Sequence, residues 1–223
     1  MFGTGDRTSG GLIDRLGDLV EQRLLPALRS RGFERDERGA VVSQADGVDW
    51  VLGLALAPWS DDRHLCFSIE WSVHVPGLDE LFDDAGPGAH GSSAIVDGAV
   101  SDSFGSAWFE LRRQPAVVAG FTDALLAKRV VKAFDASALR TLEPLDSIVA
   151  VQAHLHDGLV TGRGVPHDDE LRTIRRIAAL SALLGDRANA ARWVDYLEIR
   201  SSAAIAPDVV AERLAPLRQR LAS

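Results

Sequence analysis

The spacing of apolar residues predicts a helix near the start of the chain. Its apolar positions follow helical periodicity, while charged residues occupy the other face; they are Leu12, Leu16, Leu19, Val20 and Leu24. Gly32 and Phe33 match a helix C-terminus, where glycine adopts the left-handed conformation and the next apolar residue packs back. Pro26 lies inside the pattern, so we expect a kink or a split there, because proline lacks the backbone N–H.

The periodicity then changes to the alternation of β-strands. Residues 40–45 and 48–57 are β-prone, and the Asp46-Gly47 turn between them predicts a hairpin. Residues 64–75 alternate without error between polar and apolar side chains. This regularity predicts a strand of an antiparallel sheet that is covered on one face. A further strand is predicted over residues 107–112.

Helical patterns dominate the rest of the chain. The apolar spacing predicts helices over 116–134, 142–154, 168–184 and 186–199, and a last helix from about Pro207. The segments 83–93 and 154–164 are rich in glycine and polar residues and are predicted to be loops. Because only Gly185 separates two amphipathic helices, we expect them to pack as a hairpin, with Asp186 capping the second.

Segregated strands and helices indicate an α+β fold. We expect an N-terminal helix, an antiparallel β-meander of about four strands, and C-terminal helices that pack on the sheet or on each other. Residues 1–155 would form an α+β domain, and residues 156–223 a helical hairpin plus a terminal helix docked on it. A glycine-rich hinge over 156–166 would instead make the second part a separate domain. The predicted core joins Trp50, Leu54, Phe67, Ile69 and Trp71 to Leu16, Leu19, Leu24 and Phe33.

The first helix and the strands also carry a recurring combination of residues. The helix ends on Leu28-Arg29-Ser30-Arg31-Gly32-Phe33 with Arg35 two residues on, an apolar strand spans 50–56, and a strand over 67–75 closes on Pro76-Gly77-Leu78. Over roughly residues 12–80 this combination resembles an uncharacterised bacterial family, a domain of unknown function. Two departures are present, because residues 54–57 replace a polar segment of that family and Trp71-Ser72 replace a glycine. The resemblance implies the fold class, and the family has no established activity.

The balance of charges narrows the classes of partner. The chain has 24 basic and 32 acidic residues and a net charge of −8 at pH 7. An acidic chain repels phosphate backbones, so we expect no nucleic-acid binding. No apolar run reaches the ~20 residues that span a bilayer, and no secretory leader is recognised, so we expect a cytoplasmic protein without membrane attachment. Cys66 is the one cysteine, which excludes an intrachain disulfide.

Lysine is almost absent among the basic residues. Only Lys128 and Lys132 are lysine, and the other 22 are arginine. One explanation is a need for arginine forks at anion sites. The other is the codon bias of a GC-rich bacterial genome, which also fits the abundance of alanine, aspartate and valine. We favour codon bias, because the arginines are scattered along the chain rather than clustered.

The polar face of the 64–75 strand is the first candidate for a ligand site. His64, Glu70 and His74 alternate onto the same face of the predicted strand. Neighbours on one face lie about 6.6–7 Å apart, so Glu70 and His74 are about 13 Å apart and cannot share one metal ion. Two interpretations are open. The face is either a polar groove with Glu70 as a base, or the solvated side of a half-exposed sheet, which we favour.

A second cluster contains His154, His156 and Asp157, with His167 downstream. A His-x-His pair suits a metal ion in an extended segment, whereas helical residues two apart diverge by about 200°. We predict a helix end and a loop here, and therefore surface histidines rather than a metal site. No phosphate-binding loop or nucleophile motif is found, so the sequence predicts no cofactor and no catalytic residue.

These observations favour a non-catalytic protein-interaction or accessory role. The net negative charge biases the choice of partner toward a basic protein, and Trp59, in a predicted loop, is a candidate contact anchor. The alternative is a small-molecule binder or hydrolytic enzyme that uses the polar face of the 64–75 strand. A deep cavity over Glu70 would favour that alternative.

Overall fold

The computed structural model describes residues 10–37, 39–78, 81, 94–102, 105–162, 170–201 and 207–222. Within these residues the predicted α+β class is confirmed, with an N-terminal helix, an antiparallel sheet and C-terminal helices. The strands are β1 (Glu34–Arg35), β2 (Val41–Ala45), β3 (Val48–Leu56), β4 (His64–His74), β5 (Val96–Ala99) and β6 (Phe109–Arg112). The helices are α1 (Gly10–Leu19), α2 (Leu25–Arg29), α3 (Ala116–Phe134), α4 (Arg140–Leu142), α5 (Ile148–Thr161), α6 (Glu170–Leu183), α7 (Arg187–Ser201) and α8 (Pro207–Ala222). None of the helices in this part of the chain is long and apolar enough to cross a membrane.

The first helical segment is split, as predicted, and it ends at the predicted glycine. A π-helical turn, Val20–Leu24, separates α1 from α2 and ends two residues before Pro26, which has no N–H to continue the α-helical hydrogen-bond pattern. Gly32 has φ 84°. The Phe33 N–H donates to the Leu28 carbonyl at 3.2 Å, and the Gly32 N–H donates to the Arg29 carbonyl at 3.0 Å. These two bonds form a Schellman motif.

The sheet is organised around β4. Its order is β1-β2-β3-β4-β5, and β6 also pairs with β4. The register of β6 runs from His64 opposite Arg112 to Phe67 opposite Phe109, so β6 occupies the first part of one edge of β4. The described residues therefore hold six strands where the sequence predicts about four. The strand predicted over 107–112 starts only at Phe109, and β1 and β5 were not predicted.

The predicted core is confirmed with one exception. Phe33 is fully buried and lies 6.2 Å from the Trp50 ring and 5.4 Å from the Phe134 ring, measured between centroids. The other predicted core residues are also buried, namely Leu16, Leu19, Leu24, Phe67, Ile69 and Trp71. Leu54 is exposed, so its predicted place in the core is wrong, and Leu56, two residues further along β3, is exposed as well. The alternation of residue types continues to Leu56, but the burial of the apolar row ends at Leu52.

The chain divides into two compact units. Unit 1 contains Met1–Gln44, Trp50–Ser72 and Asp97–Glu143, and unit 2 contains Ala45–Asp49, Val73–Val96 and Pro144–Ser223. Strands β3 and β4 therefore contribute residues to both units. The division into residues 1–155 and 156–223, and the docking of the second part on the first, stay predictions. The predicted loop over 83–93 lies outside the described residues.

The helical hairpin of unit 2 is confirmed. Helix α6 packs against α7 and α5. Its end is a second Schellman motif, because Gly185 (φ 76°) donates to Ala182 and the Asp186 N–H donates to Ser181. The Asp186 side chain accepts the Asn189 N–H at 3.1 Å, which caps α7 as predicted.

One loop prediction in this unit is wrong. Residues 154–161 are helical, because α5 begins after its Ser147 N-cap and continues to Thr161, with Gly162 (φ 64°) at its C-terminus. The predicted helix over 142–154 is thus displaced along the chain. Buried Leu155 holds this part of the helix against the core of unit 2, and Gly158 is tolerated inside it.

Candidate functional site

A cleft in unit 1 brings together the two lysines of the chain. Helix α3 carries Lys128 and Lys132 one turn apart, so their side chains lie on the same exposed face. Ala136 continues this face into the π-helical turn Asp135–Leu139. The cleft has a volume of about 500 Å³, which falls within the range of small-ligand sites. Its lining comprises Ser101, Asp102, Lys128, Arg129, Lys132, Ala133, Ala136 and Ser137.

Another part of the lining is a loop held in place by hydrogen bonds. The Ser101 N–H donates to the Ser137 hydroxyl oxygen at 3.2 Å, and that hydroxyl donates to the Ala133 carbonyl at 2.8 Å. The Asp102 N–H donates to the Ser106 carbonyl at 2.9 Å, and the Ser106 N–H donates to the Asp102 carboxylate at 3.0 Å. The Ser101 bond attaches the loop to the π-helical turn that follows α3, and the two bonds between Asp102 and Ser106 fix the loop itself, so this part of the lining is held by groups of the chain.

The charge of Arg129 is paired within the protein rather than left for a ligand in the cleft. Its guanidinium forms an ion pair with the Asp102 carboxylate, whose side chain is only 5% exposed. The guanidinium carbon also lies 5.8 Å from the centroid of the Phe109 ring. A buried carboxylate requires a cation or strong donors to offset its desolvation, so Arg129 balances Asp102 and leaves the lysines as the remaining charges of the cleft.

The cleft is positive in a negative chain. Its lining contains three cations and one carboxylate, whereas the whole chain carries a net charge of −8. Within the described part of the chain no carboxylate forms an ion pair with Lys128 or Lys132. Two like charges one helical turn apart destabilise a helix by a few tenths of a kcal/mol. An anion between the ammonium groups would remove this repulsion.

The ligand-site residues that the sequence predicts on β4 lie outside the α3 cleft. His64 and Glu70 are exposed residues of unit 1, and His74 is a half-buried residue of unit 2. None of them lines the α3 cleft. His64 lies 3.7 Å from the Asp61 carboxylate and 4.0 Å from that of Glu110. A ligand site on the polar face of this strand stays a prediction.

The loop before β4 contains the clearest electrostatic perturbation near these residues. The backbone N–H groups of Arg63 and His64 each donate to the Asp61 carboxylate at 2.7 Å. Hydrogen bonds to the ionised form stabilise it, so they hold the pKa of Asp61 below its ordinary value. These bonds fix the turn into β4 and do not involve a ligand. Trp59, in the same loop, is exposed and packs edge to face on Trp108, with 5.0 Å between ring centroids.

The histidine cluster is on a helix and therefore does not converge. His154 and His156 are both in α5, where side chains two residues apart diverge, and His167 lies outside the described residues. Among the residues that the structure describes, no group of three or more His, Cys, Asp or Glu side chains is arranged to hold a metal ion. His156 instead stacks edge-on against Trp193, 6.1 Å away between centroids.

A second, smaller cleft surrounds this histidine in unit 2. It has a volume of about 280 Å³ and is lined by residues of α5, α6 and α7, with Gln152, Asp157 and Asn189 as its further polar groups. Beneath it, the Gln152 and Asn189 amides donate to the fully buried Ser181 hydroxyl at 2.6 and 3.2 Å. This network satisfies a buried hydroxyl, which explains Gln152 and Asn189 without a ligand.

The sequence contained one signal for the α3 cleft. The two lysines are spaced i, i+4 inside a predicted helix, and they are isolated among 22 arginines. The loop residues at 101–102 carry no motif and join the helix only in the folded chain. Comparison of the chain with protein-family models, with curated proteins and with solved structures finds no match. The resemblance to an uncharacterised bacterial family stays a prediction.

Proposed function

We propose that this protein is a non-catalytic binding protein and that the α3 cleft holds an anionic group of its ligand, a carboxylate or a phosphate. The observation that carries the proposal is the convergence of both lysines of a net-negative chain on one preformed cleft. Arg129 is balanced by Asp102, so Lys128 and Lys132 supply the charge that a ligand would meet.

The chemistry of the lining supports binding. Ammonium groups donate hydrogen bonds to an anion, and Ser101, another lining residue, carries a hydroxyl that is a neutral donor. The local positive charge favours an acidic ligand, in contrast to the basic partner expected from the net charge. The expected cytoplasmic location and the expected protein partner stay proposals.

Charge removal at the cleft tests the proposal. We would titrate isotopically labelled protein with inorganic phosphate and with succinate and follow the amide NMR signals of α3. Lys128→Gln and Lys132→Gln should each weaken binding about tenfold, because a hydrogen bond to a charged group contributes about 1.5–3 kcal/mol and 1.4 kcal/mol is a factor of ten. Lys→Arg at either position should retain most of the affinity, because the charge is kept.

Arg192→Gln is the matched control, since it removes an exposed cation from α7 in unit 2. It should leave the affinity for both anions unchanged. Equal weakening by all three Gln variants would mean that only net charge matters. That result, or titration shifts that do not involve α3, would contradict a site in this cleft.

A further inference from the structure

The exposed face of α3 extends beyond the cleft as a row of apolar side chains. Val118, Phe121 and Leu125 are spaced i, i+3, i+7, and their exposed fractions are 45%, 68% and 50%. Lys128 and Lys132 continue the same row one and two turns further on. From Val118 to Lys132 the row is about 21 Å long, at 1.5 Å per residue. We call this row the α3 stripe.

The α3 stripe has two chemically different halves. Its N-terminal half is apolar, and its C-terminal half is positive and opens on the cleft. The one acidic residue of α3, Asp123, lies off the stripe and forms an ion pair with Arg15 at 2.5 Å. A fully apolar ligand would leave the lysines unused, and a small anion would leave Phe121 in water.

We infer that the α3 stripe binds an amphipathic helix of a partner protein, with apolar side chains on Val118, Phe121 and Leu125 and acidic residues at Lys128 and Lys132. This inference rests on the proposed function, because it assigns the anionic group in the cleft to a protein side chain. Helical spacing of anchors on one face is the pattern by which one helix recognises another. The partner helix spans about four turns, which matches the length of the stripe.

The direction of the partner helix follows from its charges. Acidic residues are most favourable in the first turn of a helix, where they complement the macrodipole. The acidic end of the partner lies at the C-terminal end of α3, so the two helices run antiparallel.

The net charge of −8 does not prevent this contact. Salt screens charges beyond about 8 Å at physiological ionic strength, so the nearby lysines dominate. An anionic membrane would instead meet the whole negative surface.

The test uses a synthetic 15-residue peptide with leucines at i, i+4 and i+7 and two glutamates in its first turn. Its affinity is measured by fluorescence anisotropy with the full chain. Phe121→Ala should weaken peptide binding at least tenfold. The melting temperature of this variant should equal that of the unchanged chain, because the Phe121 side chain is exposed. Ile199→Ala is the matched control, since Ile199 of α7 is 73% exposed and lies in unit 2. A peptide with lysines in place of the glutamates should bind at least tenfold more weakly.

Three outcomes would overturn the inference. Phe121→Ala could bind the peptide as tightly as the unchanged chain. Sedimentation could show a dimer that Phe121→Ala dissociates, which would make a second copy the occupant. Vesicles of anionic lipid could bind the chain through Phe121 while the peptide does not.

The failure of this inference differs from the failure of the proposed function. Phe121→Ala should leave the phosphate titration unchanged. If phosphate binding depends on the two lysines but the peptide does not bind, only the proposed helix partner is contradicted. If Lys128→Gln and Lys132→Gln leave the affinity for phosphate unchanged, the proposed anion site itself is contradicted.

Discussion

Gly98 of β5 has no room for a side chain. A Cβ atom at this position would lie 2.6 Å from Cζ2 and 2.8 Å from Cε2 of Trp71, closer than real Cβ contacts allow. The Trp71 ring is buried and cannot swing into solvent. Gly98→Ala should therefore overpack the core at a cost of about 1–3 kcal/mol. Lower entropy of the unfolded chain offsets about 0.4–1 kcal/mol of that cost.

Gly53 of β3 is the matched control. Nothing lies within 4 Å of a Cβ at this position, and neither glycine has a positive φ. Gly53→Ala should therefore be neutral or stabilise the chain by up to about 1 kcal/mol. The two variants make the same chemical change in two strands that flank β4, so the difference between them isolates the contact with Trp71.

Urea unfolding followed by tryptophan fluorescence measures this difference. Both glycines and all tryptophans except Trp193 are in unit 1, so the signal reports mainly on the unit that is perturbed. With a slope of about 2 kcal/mol per M, the midpoints of the two variants should differ by roughly 0.5–1.5 M. In a Trp71→Phe background, which lacks the Cζ2 and Nε1 atoms, Gly98→Ala should become nearly neutral. Coincident midpoints for Gly98→Ala and Gly53→Ala would refute the reasoning.

Three further predictions concern local structure. Gly185→Ala should lower the stability of the α6–α7 hairpin by about 1–2 kcal/mol in thermal unfolding, because φ 76° strains a residue with a Cβ. Ser147→Ala should cost about 1 kcal/mol by removing the cap on the Ala150 N–H, and Ser147→Asp should restore it. The lowered pKa of Asp61 contributes stability above its unfolded-state pKa, which is lost as the pH falls through its folded-state pKa. Asp61→Asn should therefore flatten this part of the acid unfolding curve, and a carboxyl NMR titration should place the Asp61 midpoint below that of a free aspartate.

Local signals predicted the parts of the fold that are decided locally. Gly32 with Phe33 and Gly185 with Asp186 specify helix ends through neighbouring backbone groups, and both formed as predicted. Strand β5 had no such signal. Val96-Asp97-Gly98-Ala99 lacks apolar alternation, and its place depends on β4 more than twenty residues earlier. The packing of Trp71 against Gly98 explains why a glycine suits that strand.

The errors come from tertiary context that periodicity does not contain. Leu54 and Leu56 keep the alternation of a buried row, yet both side chains are exposed, and the residues of β3 alone do not show where the buried row ends. Gly158 indicated a loop, but buried Leu155 holds the segment in α5. The cleft was missed for a related reason, because Asp102 and Lys132 are separated by a strand and most of a helix.

The confinement of lysine to one helix face has a consequence for chemical regulation. Arginine keeps its charge under all ordinary conditions, whereas a lysine amine loses its charge on acylation. Of the 24 basic side chains, only Lys128 and Lys132 carry that amine, and both are exposed on α3. Acetylation would therefore change the charge of the cleft by up to two while every other positive side chain kept its own. In proteins with many lysines acetylation is spread over the whole surface, whereas in this chain its effect on side-chain charge would be confined to one face of α3.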